Sequence, residues 1–253
     1  MRQKVALLAR LRRLVSARKA QPTALDARTA YDLWSESYDN TTGNALLYSE
    51  ERVIRPMLES LPITGLNILD AGCGTGRYLS HLLARNPRIL VGFDFSPKML
   101  MQAKKKFSTG SAPLLVQASF DGLPFREGSF DFLLSTLAVD HGPSLDATIR
   151  ELSRVVRPGG TLLLSCFHPF ASLTGWKRTF SAKSRWYSVS YVPYKIADYL
   201  NAFLSSGLAI ARVEEPAIDE SVLHLYVTMG KEDFYMRSKG HPLSLIFLLE
   251  KKT

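Results

Sequence analysis

The stretch ILDAGCGTGRYLSHLL, Ile68 to Leu83, sets an acid, Asp70, two residues ahead of three alternating glycines, Gly72, Gly74 and Gly76, with Arg77 directly after them. Glycine admits positive φ and removes Cβ, so a ligand can lie against bare main chain. A helix starting there adds free N–H groups and the positive end of its dipole. Such a turn suits a dinucleotide or another nucleoside with an acidic end. The dinucleotide fingerprint is G-x-G-x-x-G, whereas the order here is G-C-G-T-G. Asp70 would repel a pyrophosphate and would tolerate a ligand bearing an ammonium group. The spacing therefore disfavours a nicotinamide-dependent dehydrogenase.

A second anchor is VGFDFSPKML. Asp94 closes an apolar run, where an acid can accept hydrogen bonds from ribose hydroxyls, each worth ~1.5–3 kcal/mol to a charged acceptor. Phe95 and Met99 follow and could form an apolar slot for a purine. The plainer role for Asp94, capping the helix that begins at Pro97, is one that Ser96 already fits. Two histidines complete the set: His141 in STLAVDHGPS, beside Asp140, and His168 in SCFHPF. Either can take a proton near neutral pH. Each could equally make ordinary loop or turn hydrogen bonds, so the choice of base stays open.

These residues need a scaffold that brings strand ends together. Strand-like runs are expected at Asn67–Ala71, Ile89–Asp94, Leu114–Ala118, Phe130–Thr136 and Thr161–Cys166, alternating with helical patterns at Gly76–Arg85, Pro97–Phe107 and Ser144–Val156. Apolar strands separated by helices predict a doubly wound α/β fold around a mostly parallel sheet. Ligands then bind at the carboxyl ends of the strands. After Cys166 the alternation loosens. Lys195–Ser205 reads as a helix, Ala209–Glu214 as extended, and PLSLIFLLEKK as a closing strand. Segments near 167–191 and 218–240 read as insertions over the site. The first carries Phe170, Trp176, Phe180, Trp186 and Tyr187, interleaved with Lys177, Arg178, Lys183 and Arg185. That composition suits a cover for an apolar or aromatic acceptor, a satellite core, or contacts to a phosphate-bearing substrate.

The net charge of +9 suggests nucleic acid at first, but residues 1–20 hold seven basic residues and no acid, so nine less seven leaves only +2 for the rest. The division expected is a basic amphipathic arm over residues 1–25 and one domain over 26–253. Packing on the body, a membrane surface, RNA, or an organelle-import leader remain open for the arm. Two cysteines are too few for a disulfide framework or a cysteine-based metal site, and no metal is expected. No run is long enough to span a bilayer, so a cytoplasmic protein is expected.

Four motifs in order resemble the class I S-adenosylmethionine-dependent methyltransferases, in particular the small-molecule, quinone-pathway-like branch: LDAGCGTGRYL, VGFDFSPKML, LPFREGSFDFLLS and ELSRVVRPGGTLLLS, with YDLWSESYD as the lid ahead of them. The resemblance implies a seven-stranded Rossmann-like sheet and S-adenosyl-L-methionine as cofactor. It implies contacts from Tyr31, Tyr38, Asp70, Gly72, Gly74, Gly76, Arg77, Asp94, Phe95, Met99, Ser119, Phe120 and Leu137, with Arg77 either on the cofactor carboxylate or on the surface. Ser119 departs from the family, which often has an acid there; Asp121 lies two residues on. The implied activity is methyl transfer to O, N or C of a small apolar or aromatic acceptor. The alternatives are a tRNA-modifying methyltransferase and a non-catalytic cofactor-binding assembly protein.

Overall fold

A computed structural model describes residues 21–40, 44–107 and 111–253. Of the arm expected over residues 1–25, residues 1–20 lie outside the described residues, while Thr23–Leu25 form a strand paired with Tyr187–Val189 and so belong to the body instead of the arm. A seven-stranded sheet forms the centre, in the order β4-β3-β2-β5-β6-β10-β9. Its strands are β2 (Asn67–Ala71), β3 (Ile89–Asp94), β4 (Leu114–Gln117), β5 (Phe130–Thr136), β6 (Val156–Phe167), β9 (Leu208–Glu214) and β10 (Ser244–Lys251). The first five in that order pair in parallel, and β10 runs antiparallel to both β6 and β9. The chain moves outward from β2 through β3 to β4, then returns to place β5 on the other side of β2. The topological switch therefore falls between β2 and β5, and ligands of open α/β sheets bind beyond the carboxyl ends at such a switch.

The sheet is covered on both faces. Phe132 and Leu134 of β5 pack in one apolar cluster and Leu133 in the other, as a period of two requires. Full burial of such side chains stabilises by roughly 1.5–3 kcal/mol each. One face is covered by α2 (Ala45–Ser60) and α3 (Leu79–Leu83), through Ile54, Met57, Leu79 and Leu82. The other takes α5 (Leu145–Val155) and α7 (Ile196–Ser205). On α5 the buried Leu145, Ile149, Leu152 and Val155 recur at helical spacing, and Ser144 caps the helix by accepting from the Ala147 N–H at 3.2 Å.

Several boundaries differ from the sequence reading, most of them by a residue or two. The helix expected from Gly76 begins only at Leu79, because Gly76 sits at φ +79°, which a right-handed helix cannot use. The strand from Leu114 ends at Gln117, one residue early. The strand expected at Thr161–Cys166 runs from Val156 to Phe167, absorbing RPGG across an irregularity where Phe130 faces Val156 and Phe132 faces Thr161.

The excursion after β6 has its own structure. A one-turn helix α6 (Pro169–Leu173) leads into a hairpin, β7 (Thr179–Ala182) and β8 (Arg185–Val189), and β1 (Thr23–Leu25) adds to β8 in parallel. The hairpin packs on α1 (Ala27–Trp34), where Trp34 stacks on Phe180 at 4.7 Å, and Met99 of α4 (Pro97–Lys106) joins the same cluster. The later insertion forms α8 (Leu223–Thr228) and α9 (Glu232–Ser238), packed with Ala45 through Ile218, Val222, Leu225 and Tyr235. Among the described residues no helix is long and apolar enough to cross a membrane.

Candidate active site

A cleft of about 570 Å³ opens beyond four consecutive strand ends. Gly72 and Gly74 follow β2, Phe93 to Phe95 end β3, Ala118 to Phe120 follow β4, and Thr136 to Ala138 end β5; Tyr31, Tyr38, Met99 and His141 close it. Its lining, mostly apolar and aromatic with a few converging polar groups, is that of a small-molecule or cofactor site. The turn after β2 is held to β3, because the N–H groups of Gly72 and Cys73 both donate to the Phe93 carbonyl at 2.9 and 2.8 Å.

The three glycines are needed for three different reasons. All have positive φ. A Cβ on Gly72 would come within 2.5 Å of the Ala138 Cβ, so this glycine lets the β5 exit loop approach. A Cβ on Gly76 would meet Leu79, Ala103 and Phe107 at 3.2–3.4 Å, so that one admits α4. Only at Gly74 is there nothing within 4 Å, which leaves bare main chain facing space in the cleft.

Asp94 is buried, and its carboxylate is tied to that turn. Oδ2 accepts from the Gly74 N–H at 2.9 Å and Oδ1 from the Ser96 N–H at 2.8 Å. Burial raises its pKa to about 6 against the opposing pull of those bonds. Two lone pairs of the carboxylate stay free for further donors. Ser96 caps α4 as expected, accepting from the Met99 N–H at 3.1 Å. Ser119 lines the cleft, and its hydroxyl donates to Asp121 Oδ2 at 3.1 Å, which leaves the hydroxyl its own acceptor capacity.

The cover is latched onto the same turns. Ser96 Oγ donates to Asp32 at 2.5 Å and Thr75 Oγ1 to Asp39 at 2.7 Å. Tyr31 lies edge-on to Phe95 and to His141, and its hydroxyl is 2.9 Å from His141 Nε2.

This cleft, at the switch point of this strand order, coincides with what the comparisons find. Residues 69–164, β2 through β6, match the family model described as a methyltransferase domain. The matched span is thus the part of the sheet that carries the glycine turn and the cleft, and it is similar to a methyltransferase domain. A malonyl-[acyl-carrier protein] O-methyltransferase of Erwinia pyrifoliae is 38% identical over 104 residues, 41% of this chain and 38% of that protein. A demethylmenaquinone methyltransferase of Lactococcus lactis is 34% identical over 113 residues, 42% of this chain and 44% of that protein. The chain therefore spans less than half the length of these relatives. In fold, the crystal structure of an S-adenosylmethionine dependent methyltransferase from Mesorhizobium loti matches with a TM-score of 0.61 at 22% identity, over 81% of this chain and 100% of that one.

Within the matched core and its cover, the structure brings Tyr31, Tyr38, Gly72, Gly74, Asp94, Phe95, Met99, Ser119, Phe120, Leu137 and His141 into one cleft. Four expected positions fall outside its lining. Gly76 faces α4, as above. Asp70 is buried behind the turn, its Oδ1 without a partner among the described residues and its pKa raised to about 7 by burial, partly offset by Arg77. Arg77 takes neither expected role: it pairs with the fully buried Glu50 at 2.6 Å, and Glu50 also accepts from Tyr78 and Ser165. His168 is a cap. Its Nδ1 accepts from the Phe170 N–H at 3.0 Å and its Nε2 lies 2.8 Å from Glu215, so neither nitrogen is available as a base.

His141 stands at the cleft but in an acceptor role. Arg178 Nη1, which can only donate, lies 2.8 Å from its Nε2. The ring proton is therefore on Nδ1, which has no partner among the described residues. Burial, reinforced by the Arg178 charge, lowers the His141 pKa to about 4 despite neighbouring Asp140. Leu137 holds a positive φ of +54°, a strained conformation for a branched residue, and its carbonyl accepts from Arg178 at 3.1 Å. Sequence reasoning noted Arg178 only as one of four basic residues among aromatics. The structure separates it: Lys177, Lys183 and Arg185 are exposed, and Arg178 is buried.

Proposed function

We propose that this chain transfers a methyl group from S-adenosylmethionine to an O, N or C atom of a small apolar or aromatic acceptor, by in-line displacement. The observation that carries the reading is the junction of two spaces. A groove of about 2200 Å³ beside the hairpin shares Tyr38 with the cleft, and Arg178 on the groove side bonds to His141 and Leu137 on the cleft side. One space fits the cofactor and the other an acceptor.

The residues fit the cofactor. Gly74 leaves open space over its main chain, the free lone pairs of Asp94 can receive two ribose hydroxyls, and Phe95, Met99 and Phe120 give the cleft an apolar lining suited to a purine. The Asp70 carboxyl, whose pKa burial raises to about 7, would ionise against an ammonium group held at the turn. S-adenosylmethionine, when bound, supplies a methyl group already activated by the sulfonium charge. Tyr31 and Tyr38 line the cleft; the Tyr31 ring already faces the Arg178 guanidinium, and the Tyr38 ring can face a cation in the cleft. Holding donor and acceptor in near-attack geometry can lower the barrier by ~7–11 kcal/mol without a covalent intermediate. A base is required only for an acceptor that must lose a proton, which agrees with a His141 whose basic nitrogen is already taken.

The test is a labelled-methyl transfer assay against fractionated small molecules and RNA. Label appearing in a small-molecule fraction is expected. Label confined to RNA, or no label in any fraction despite demonstrated cofactor binding, contradicts the proposal.

A further inference from the structure

Arg178 is buried to 94% at the junction of cleft and groove. Among the described residues no carboxylate lies within 4.0 Å of it, and residues 1–20, 41–43 and 108–110 contain no Asp or Glu. Asp140 contributes attraction from farther away, without a hydrogen bond. A buried cation without a hydrogen-bonded counter-charge is costly to keep. The side chain is nevertheless held firmly. Nη1 donates to the Leu137 carbonyl and to His141, and the guanidinium stands 5.6 Å over the Tyr31 ring. That leaves Nε and Nη2, the edge of the fork that matches a carboxylate in bidentate geometry, with no partner among the described residues. The groove it faces is walled by Trp34, Phe167, Trp176, Phe180 and Phe234.

We infer that Arg178 anchors a carboxylate on the acceptor, and that this carboxylate is carried by an apolar or aromatic body lying in the groove. The inference rests on the proposed methyl transfer and narrows its acceptor to organic acids. A fixed guanidinium next to the cleft sets which end of such an acid points at the transferred methyl. The anion could instead be the cofactor's own carboxylate, and the experiment separates the two.

Protein saturated with S-adenosylhomocysteine is titrated with 3-phenylpropionate, indole-3-acetate and decanoate, each against its primary amide, and tryptophan fluorescence is followed, since Trp34, Trp176 and Trp186 line the groove. At least one acid is expected to bind about tenfold more tightly than its amide, the scale of a charge-assisted pair. Arg178→Gln is expected to remove that preference and to leave S-adenosylhomocysteine affinity within about threefold. Arg178→Lys, which keeps charge and loses the fork, should retain part of it, and decides the matter should the Gln variant not fold. The inference is overturned by acids binding no better than amides, by a preference that survives both variants, or by a loss of S-adenosylhomocysteine affinity in place of acid affinity. Failure of the wild type to bind S-adenosylhomocysteine at all sinks the methyl-transfer reading itself and this inference with it.

Discussion

Nη1 of Arg178 lies 2.8 Å from Nε2 of His141, and this one contact fixes the chemistry available to the histidine. The guanidinium has no lone pair, so the imidazole accepts at Nε2 and carries its proton on Nδ1. Its pKa of about 4 lies well below the ordinary value. The native state refuses a proton that the unfolded chain takes up near pH 6.5. Stability therefore falls as pH drops from about 6.5 toward 4. Histidine-selective NMR is expected to show His141 as the Nδ1-protonated tautomer, without titration between about pH 5 and 8. A midpoint near 6.5 would contradict the assignment.

The glycine turn gives a contrast between two neighbours. Gly72→Ala drives a methyl into Ala138, and is expected to destabilise by roughly 1–3 kcal/mol from overpacking beyond the backbone strain. Gly74→Ala meets no atom and costs only the strain of its positive φ, about 1–2 kcal/mol. It does place a methyl in the cleft. Thermal melts should rank Gly72→Ala as the less stable, while ligand affinity should suffer in Gly74→Ala.

Arg77 and Glu50 form a buried pair, and removing one partner strands the other. Glu50→Ala is expected to cost roughly 3–5 kcal/mol in denaturant unfolding. Arg77→Met should show a loss in the same direction, with S-adenosylhomocysteine affinity of the folded fraction changed little. A large affinity loss at normal stability would return Arg77 to the cofactor.

Asp70 carries a raised pKa of about 7 against a usual 3.8. The folded chain holds this proton more tightly than the unfolded one, so the stabilising contribution is complete below about pH 4 and is lost as pH rises toward 7. Relative to Asp70→Asn, the unliganded wild type should lose stability across that window, on the order of a few kcal/mol. Parallel unfolding curves at both ends of the window measure it; a constant difference would show an ordinary carboxylate.

Much of the sheet was legible because five apolar strands alternate with helices, and the acid at the end of β3 marks the site through its position alone. The hairpin was not. Its two-residue turn uses Lys183 and Ser184 at positive φ, without the Asn-Gly or Gly signal that such turns ordinarily show. The three-residue β1 depends on that hairpin for its partner and has no pattern of its own. His168 and Arg77, whose roles the sequence left open, are settled away from the cleft by partners it does not reveal. Local motif position brings a residue near a site, but the partners that occupy them, Glu215 and Glu50, come from elsewhere in the chain. Arg178 shows the converse, since the sequence offers four basic residues among aromatics as possible substrate contacts and only the fold singles out the buried one.

The central claim is that the cleft beyond β2 and β5 holds a nucleoside by its sugar on Asp94. Calorimetric titration of S-adenosylhomocysteine into the wild type and Asp94→Ala tests it most directly. Two hydrogen bonds to a charged acceptor, at ~1.5–3 kcal/mol each, predict at least about a hundredfold weaker binding in the variant. Wild-type affinity should also fall below about pH 6, where Asp94 takes up its proton. Equal affinity in the two proteins, or no heat with either, would contradict the account.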